Sequence, residues 1–161
     1  MSFTTISVIG LGYIGLPTAA AFASRQKHVI GVDINQQAVD TINRGAIHIV
    51  EPDLDSVVKT AVEGGFLRAT TTPVAADAYL IAVPTPFKGD HDPDMVYVEA
   101  AAKSIAPVLK KGALVILEST SPVGATEQMA AWLAEMRPDL TFPQQAGEQA
   151  EIGRASCRER V

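Results

Sequence analysis

Three glycines and one aspartate are the residues of this sequence best suited to hold a charged ligand. Gly10, Gly12 and Gly15 stand in the spacing Gly-x-Gly-x-x-Gly, and Asp33 follows 23 positions after Gly10. Each glycine of such a turn has its own task. Gly10 lets the chain leave an extended segment abruptly. Gly12 puts no side chain between the backbone and an approaching anion. Gly15 lets the next segment pack closely. An aspartate about 20 residues beyond the turn accepts hydrogen bonds from ribose hydroxyls and repels a 2′-phosphate. The ligand that needs both features is a dinucleotide, and the carboxylate selects NAD over NADP. The competing reading of Asp33 is an N-cap for the helix after it. Tyr13 and Ile14 lie inside the turn, where they line and cover the phosphates.

These residues work only if a strand ends at Gly10 and a helix begins near Gly15. The apolar, β-branched run 4–9 supplies the strand, and the alanine-rich run 14–24 supplies the helix. Pro17 falls in that helix's first turn, where a missing N–H costs nothing. The first N–H groups of the helix have no partner within it, so they attract an anion. A second apolar strand, 29–32, runs into Asp33. Further helices are expected over 35–43, 53–62 (capped by Asp53), 95–109 (capped by Asp94) and 125–136. Further strands are expected over 67–70, 78–83 and 113–118, with a last one opening at 140–142. Strands alternate with helices throughout. That predicts an α/β fold, a Rossmann-type doubly wound parallel sheet, in a single domain over 1–150. Trp132 and Met136 fall at helical spacing and read as core. His48, between apolar residues, reads as packing, and His28 as surface.

In such a sheet, ligands lie beyond the carboxyl ends of the strands. Three more loops fall there: Pro84-Thr85-Pro86, Glu118-Ser119-Thr120, and the helix start Gly124-Ala125-Thr126. Thr85 and Thr120 offer hydroxyls toward the nicotinamide end of a cofactor, and Thr126 stands in a helix N-terminus. Singly, these hydroxyls also read as turn or cap residues. At successive strand ends they read together as a site. His91 lies among Asp90, Asp92 and Asp94, but the loop has no settled ligand geometry, so no metal is expected.

Bulk properties narrow the partners. Of 161 residues, 47% are hydrophobic and 19% charged, which suits strands buried on both faces. The formal net charge of −5 argues against nucleic acid. A single cysteine excludes an internal disulfide and fits a reducing compartment. No apolar run approaches the roughly 18 residues of a membrane span, and no leader precedes the first strand. The expectation is a cytoplasmic protein with no membrane partner.

Four segments in this order are similar to the UDP-glucose/GDP-mannose dehydrogenase family. They are Val8-Ile9-Gly10-Leu11-Gly12-Tyr13-Ile14-Gly15-Leu16-Pro17, Gly31-Val32-Asp33, Val83-Pro84-Thr85-Pro86 and Glu118-Ser119-Thr120-Ser121-Pro122-Val123-Gly124. The likeness covers residues 1 to about 150. Segments 47–53 and 86–91 narrow it to a bacterial branch acting on a UDP-N-acetylamino sugar. The resemblance implies oxidation of a UDP-sugar alcohol to a carboxylate with two NAD and one water, in a full-length homodimer. It also implies a catalytic cysteine and lysine beyond position 161, so this chain by itself holds cofactor without turnover. Cys157 is not that cysteine. Thr120 and Glu159 are given a part in the chemistry, and Arg160 and Val161 a part in binding substrate.

After about residue 150 the sequence departs from the family pattern. Ser156 stands for a tyrosine, Arg158 for a proline, and arginines alternate with small residues. We expect 151–161 to be a tail foreign to the domain, after a truncated reading frame. Two neighbouring readings are UDP-glucose 6-dehydrogenase or another nucleotide-sugar dehydrogenase, and a β-hydroxyacid dehydrogenase. The proline and Ser-Thr loops count against the latter. A reading of another class is a non-catalytic NAD-binding module.

Overall fold

The computed structural model describes residues 3–88 and 92–156. Strand β1 (Thr5–Ile9) leads through the glycine turn into α1 (Gly15–Ser24). Then follow β2 (His28–Val32), α2 (Gln36–Asn43), α3 (Leu54–Glu63), β3 (Leu67–Thr70) and β4 (Ala78–Ile81). A hairpin of β5 (Phe87–Lys88) and β6 (Asp92–Pro93) precedes α4 (Val96–Ile105) and β7 (Leu114–Leu117). The order ends with α5 (Ala125–Met136), the short α6 (Pro143–Ala146) and β8 (Gly153–Ser156).

Six strands form one sheet in the order β3-β2-β1-β4-β7-β8, every neighbouring pair parallel. Chain order reverses between β1 and β4, which is the switch point where such sheets open a crevice. The register sets the strand ends level. Ile9 stands opposite both Val32 and Ile81, and Ile81 opposite Leu117. Gly10, Asp33, Ala82 and Glu118 therefore come next in one row along the carboxyl edge.

Each face of the sheet has its own core. On one, Ile6 and Val8 pack with Leu16, Ala19, Ala20 and Ala23 of α1 and with Val39, Ile42 and Val58. On the other, Ile9, Tyr79, Ile81, Val115 and Leu117 pack with α4 and α5 through Val98, Ile105, Met129 and Leu133. Alanines on the inner face of α1 let that helix lie close to β1, which sets how near its N-terminus comes to the crevice. Burial on both faces explains why β4 reads as a continuous apolar run.

Several elements differ from the sequence reading. Residues 140–142 are not a strand. Leu140 and Phe142 are buried, and Pro143 at once starts α6. The last strand is β8, drawn from the segment whose side chains carry no strand pattern. Main-chain hydrogen bonds to β7 need no apolar side chain, and buried Ile152 supplies the core anchor beside them. Helix α4 stops at Ile105 and tightens into a 3-10 turn, because Pro107 has no N–H to continue it. Asp53 precedes α3 without capping it: its φ is +63° and its side chain makes no cap bond. Met136 is 43% exposed and His48 is exposed, so neither belongs to the core. Met136 is the last residue of α5, and His48 lies in the connection between α2 and α3.

Candidate functional site

The glycine turn divides its three residues by what each must avoid. Gly10 has φ +92°, and its N–H donates to the Val32 carbonyl at 2.8 Å. A Cβ there would come 2.9 Å from the Ala82 carbonyl oxygen. A Cβ on Gly15 would land on the Gly10 carbonyl oxygen. The fold itself thus requires both. Gly12 is different: a Cβ there would meet nothing within 4 Å. The space above Gly12 is open at the point where a ligand backbone would pass. Tyr13 and Ile14 beside it are 61% and 54% exposed. Ile14 precedes α1 with no side-chain cap.

Asp33 is tied to that turn. Its Oδ2 accepts from the Leu11 N–H at 2.9 Å, and its Oδ1 from the Asn35 N–H at 2.9 Å. The helix cap is Asn35, whose Oδ1 accepts from the N–H groups of Gln37 and Ala38. Asp33 is therefore not the N-cap of α2. It stands free of the helix, at the end of β2, with its carboxylate next to the glycine turn. Ile34 beside it is 94% exposed, an apolar surface at the crevice that the sequence reading missed. An isoleucine between two turn-forming polar residues was its one local signal.

The two downstream loops are joined to each other. Thr85 Oγ1 donates to the Thr120 carbonyl at 2.6 Å. Buried Ser119 donates to the Val83 carbonyl at 2.6 Å, and the Glu118 N–H to the Ile81 carbonyl at 2.9 Å. Ser119 thus fastens the ends of β4 and β7 and caps no helix. Thr120 itself is exposed. Helix α5 begins after Gly124, at φ +86°, without a side-chain cap, and Thr126 is buried in its first turn. Sequence reasoning also missed a link between Thr18 of α1 and Glu118, 2.8 Å from Oγ1 to Oε1. A separation of 100 residues leaves no local signal for it.

Glu159, Arg160, Val161, Asp90 and His91 lie outside the described residues. Among the described residues, no group of three or more His, Cys, Asp or Glu is placed to hold a metal. No helix among them is long and apolar enough to cross a membrane. A groove of about 430 Å3, lined by Ser24, Gln26, Thr60 and Phe66 among others, lies at the far end of α1. It opens at the amino ends of the strands and takes no part in the crevice.

An open crevice at a parallel-sheet switch point, a bare glycine turn leading into a helix N-terminus, and a carboxylate at the end of the second strand define a dinucleotide-binding domain. The model of the UDP-glucose/GDP-mannose dehydrogenase family's NAD binding domain matches residues 4–161, and the chain belongs to that family. It is 89% identical over all 161 residues to the UDP-N-acetyl-D-mannosamine dehydrogenase of Salmonella typhi, covering 38% of that protein's length. It is 68% identical to the NDP-N-acetyl-D-galactosaminuronic acid dehydrogenase of Ralstonia solanacearum, again over the whole chain and 38% of the relative. Among solved structures, the UDP-N-acetyl-mannosamine dehydrogenase of Staphylococcus aureus superposes with a TM-score of 0.87 at 40% identity, over 98% of this chain and 37% of that one. The chain thus spans under two fifths of the relatives it matches.

Proposed function

We propose that this chain holds NAD for a dehydrogenase that oxidises UDP-N-acetyl-D-mannosamine to its uronate. The observation that supports the cofactor half is the Leu11 N–H bond to Asp33, which holds that carboxylate beside a turn left open at Gly12. The sugar half rests on the 89% identity to a dehydrogenase of that substrate, against 68% to the galactosaminuronate enzyme. When bound, the nicotinamide accepts a hydride from the alcohol carbon. Oxidation from alcohol to carboxylate takes two such transfers, hence two NAD.

The chain's own residues bind and orient. The N-terminus of α1 attracts the pyrophosphate across Gly12. Asp33 takes the adenosine ribose, and exposed Ile34 offers an apolar surface beside it. The rigid Thr85–Thr120 pair borders the nicotinamide side, with Thr126 in the uncapped start of α5 as a further contact. Thr85 and Ser119 already donate to carbonyls, so neither hydroxyl is free to act as a nucleophile. The groups that capture an aldehyde are assigned to the remainder of the longer protein, with Glu159, Arg160 and Val161 toward the sugar. A homodimer in the cytoplasm completes the proposal.

Titration calorimetry tests it. NAD binds, and NADP binds at least tenfold more weakly because Asp33 repels the 2′-phosphate. Equal affinities would overturn the ribose assignment, and absence of NAD binding would overturn the cofactor reading.

A further inference from the structure

Glu118 makes a contact that cofactor binding alone does not call for. It follows Leu117 at the end of β7 and shares its face of the sheet with Ile116, which packs against the α1 cluster. From there its side chain reaches the early turns of α1. Oε1 accepts from Thr18 Oγ1 at 2.8 Å. Oε2 is buried and has no hydrogen-bond partner among the described residues. Keeping a half-buried carboxylate in such a place is costly, and an apolar side chain would fill the same volume without that cost. Its backbone is fixed from the other side, since its N–H donates to the Ile81 carbonyl at 2.9 Å and the next hydroxyl, Ser119, donates to Val83. The side chain is therefore a strut. It runs from the end of β7, past the end of β4, to the helix that presents the glycine turn.

We propose that Glu118 is a positioning residue that fixes the distance between the two halves of the dinucleotide site. One half is the glycine turn with Asp33. The other is the loop of Ser119 and Thr120, locked to Thr85. A ligand that spans both halves gains from a fixed spacing, because less ordering is left to be done on binding. A ligand that occupies only the first half does not. The inference rests on the NAD reading above.

The test compares NAD, which spans both halves, with ADP, which fills only the half at Asp33 and Gly12. Calorimetry is run on the wild-type chain and on Thr18→Val, Thr18→Ser and Glu118→Gln. Thr18→Val is expected to weaken NAD about tenfold, the scale of one lost hydrogen bond, and to leave ADP within about twofold. Thr18→Ser keeps the hydroxyl and restores NAD affinity, and Glu118→Gln keeps the acceptor and stays near wild type. Thr18→Val combined with Glu118→Leu replaces the pair by an apolar contact. That double variant recovers the wild-type melting temperature and still binds NAD about tenfold more weakly. Equal weakening of both ligands, or of neither, overturns the inference while leaving the cofactor reading intact. A wild-type chain that binds ADP but not NAD overturns both.

Discussion

At the scale of single residues, the same substitution has opposite meanings at neighbouring glycines. Gly12→Ala adds a methyl into open space at an unstrained φ, so the melting temperature should stay within about a degree of wild type while NAD affinity falls at least tenfold. Gly10→Ala forces φ +92° on a residue with a Cβ and presses that Cβ against the Ala82 carbonyl. A cost of about 2 kcal/mol or more follows, read as lost stability in urea titration. Asp77 gives a second residue-scale prediction. Its carboxylate accepts the N–H groups of Thr5 and Thr4 and the Thr4 hydroxyl, all on Oδ2. Those bonds, the Thr5 N–H foremost, hold its pKa below the ordinary 3.8. The stabilisation is fully present above that ordinary value and is lost as pH falls through the lower folded one. Asp77→Asn should therefore flatten the acid limb of the stability curve below about pH 4 and leave its slope near neutrality unchanged, as measured by urea titration across pH.

At the scale of elements, two side chains fasten strands that apolar packing alone leaves incomplete. Asn43, the last residue of α2, donates to the Ala69 carbonyl at 2.9 Å and accepts from the Ala69 N–H at 2.8 Å. Strand β3 is the edge of the sheet, and this amide occupies the main-chain groups that another strand would pair with. Asn43→Ala should cost about 1–2 kcal/mol and raise aggregation in light scattering on warming. On the other face, buried Tyr79 accepts from the Ala76 N–H at 2.9 Å, and its hydroxyl lies 3.0 Å from the Val108 carbonyl. It joins β4 to the 3-10 turn after α4. Burial pushes the phenol pKa up, so the hydroxyl stays protonated and keeps donating. Tyr79→Phe strands the Ala76 N–H and should lower stability by about 1–3 kcal/mol, a drop of several degrees in melting temperature for a domain of this size.

At the scale of the whole molecule, the sheet order brings four strand ends to one edge, and the proposed cofactor site lies along that edge. Ligand that binds there stabilises the folded chain by mass action, so NAD at about 100 times its Kd should add roughly 2.7 kcal/mol in thermal unfolding. The sequence alone determined the alternation of strands and helices, the glycine turn, the separation of Asp33 and the bounds of α5. Each of these follows from interactions between near neighbours: helical or strand period, the steric freedom of glycine, and the fixed φ of proline. Asp33 as cofactor ligand or helix cap stayed open, because both readings fit the same local pattern. The tertiary structure removed the cap reading by giving the cap to Asn35 and the carboxylate to the Leu11 N–H, and the ribose role is the one proposed above. It also separated the glycines by what surrounds them, joined Thr85 to Thr120, drew β8 into the sheet from a segment without strand pattern, and linked Thr18 to Glu118. Those pairings depend on which strands lie side by side. Strand order comes from packing over the whole chain, and the spacing of residues along it carries no trace of that order.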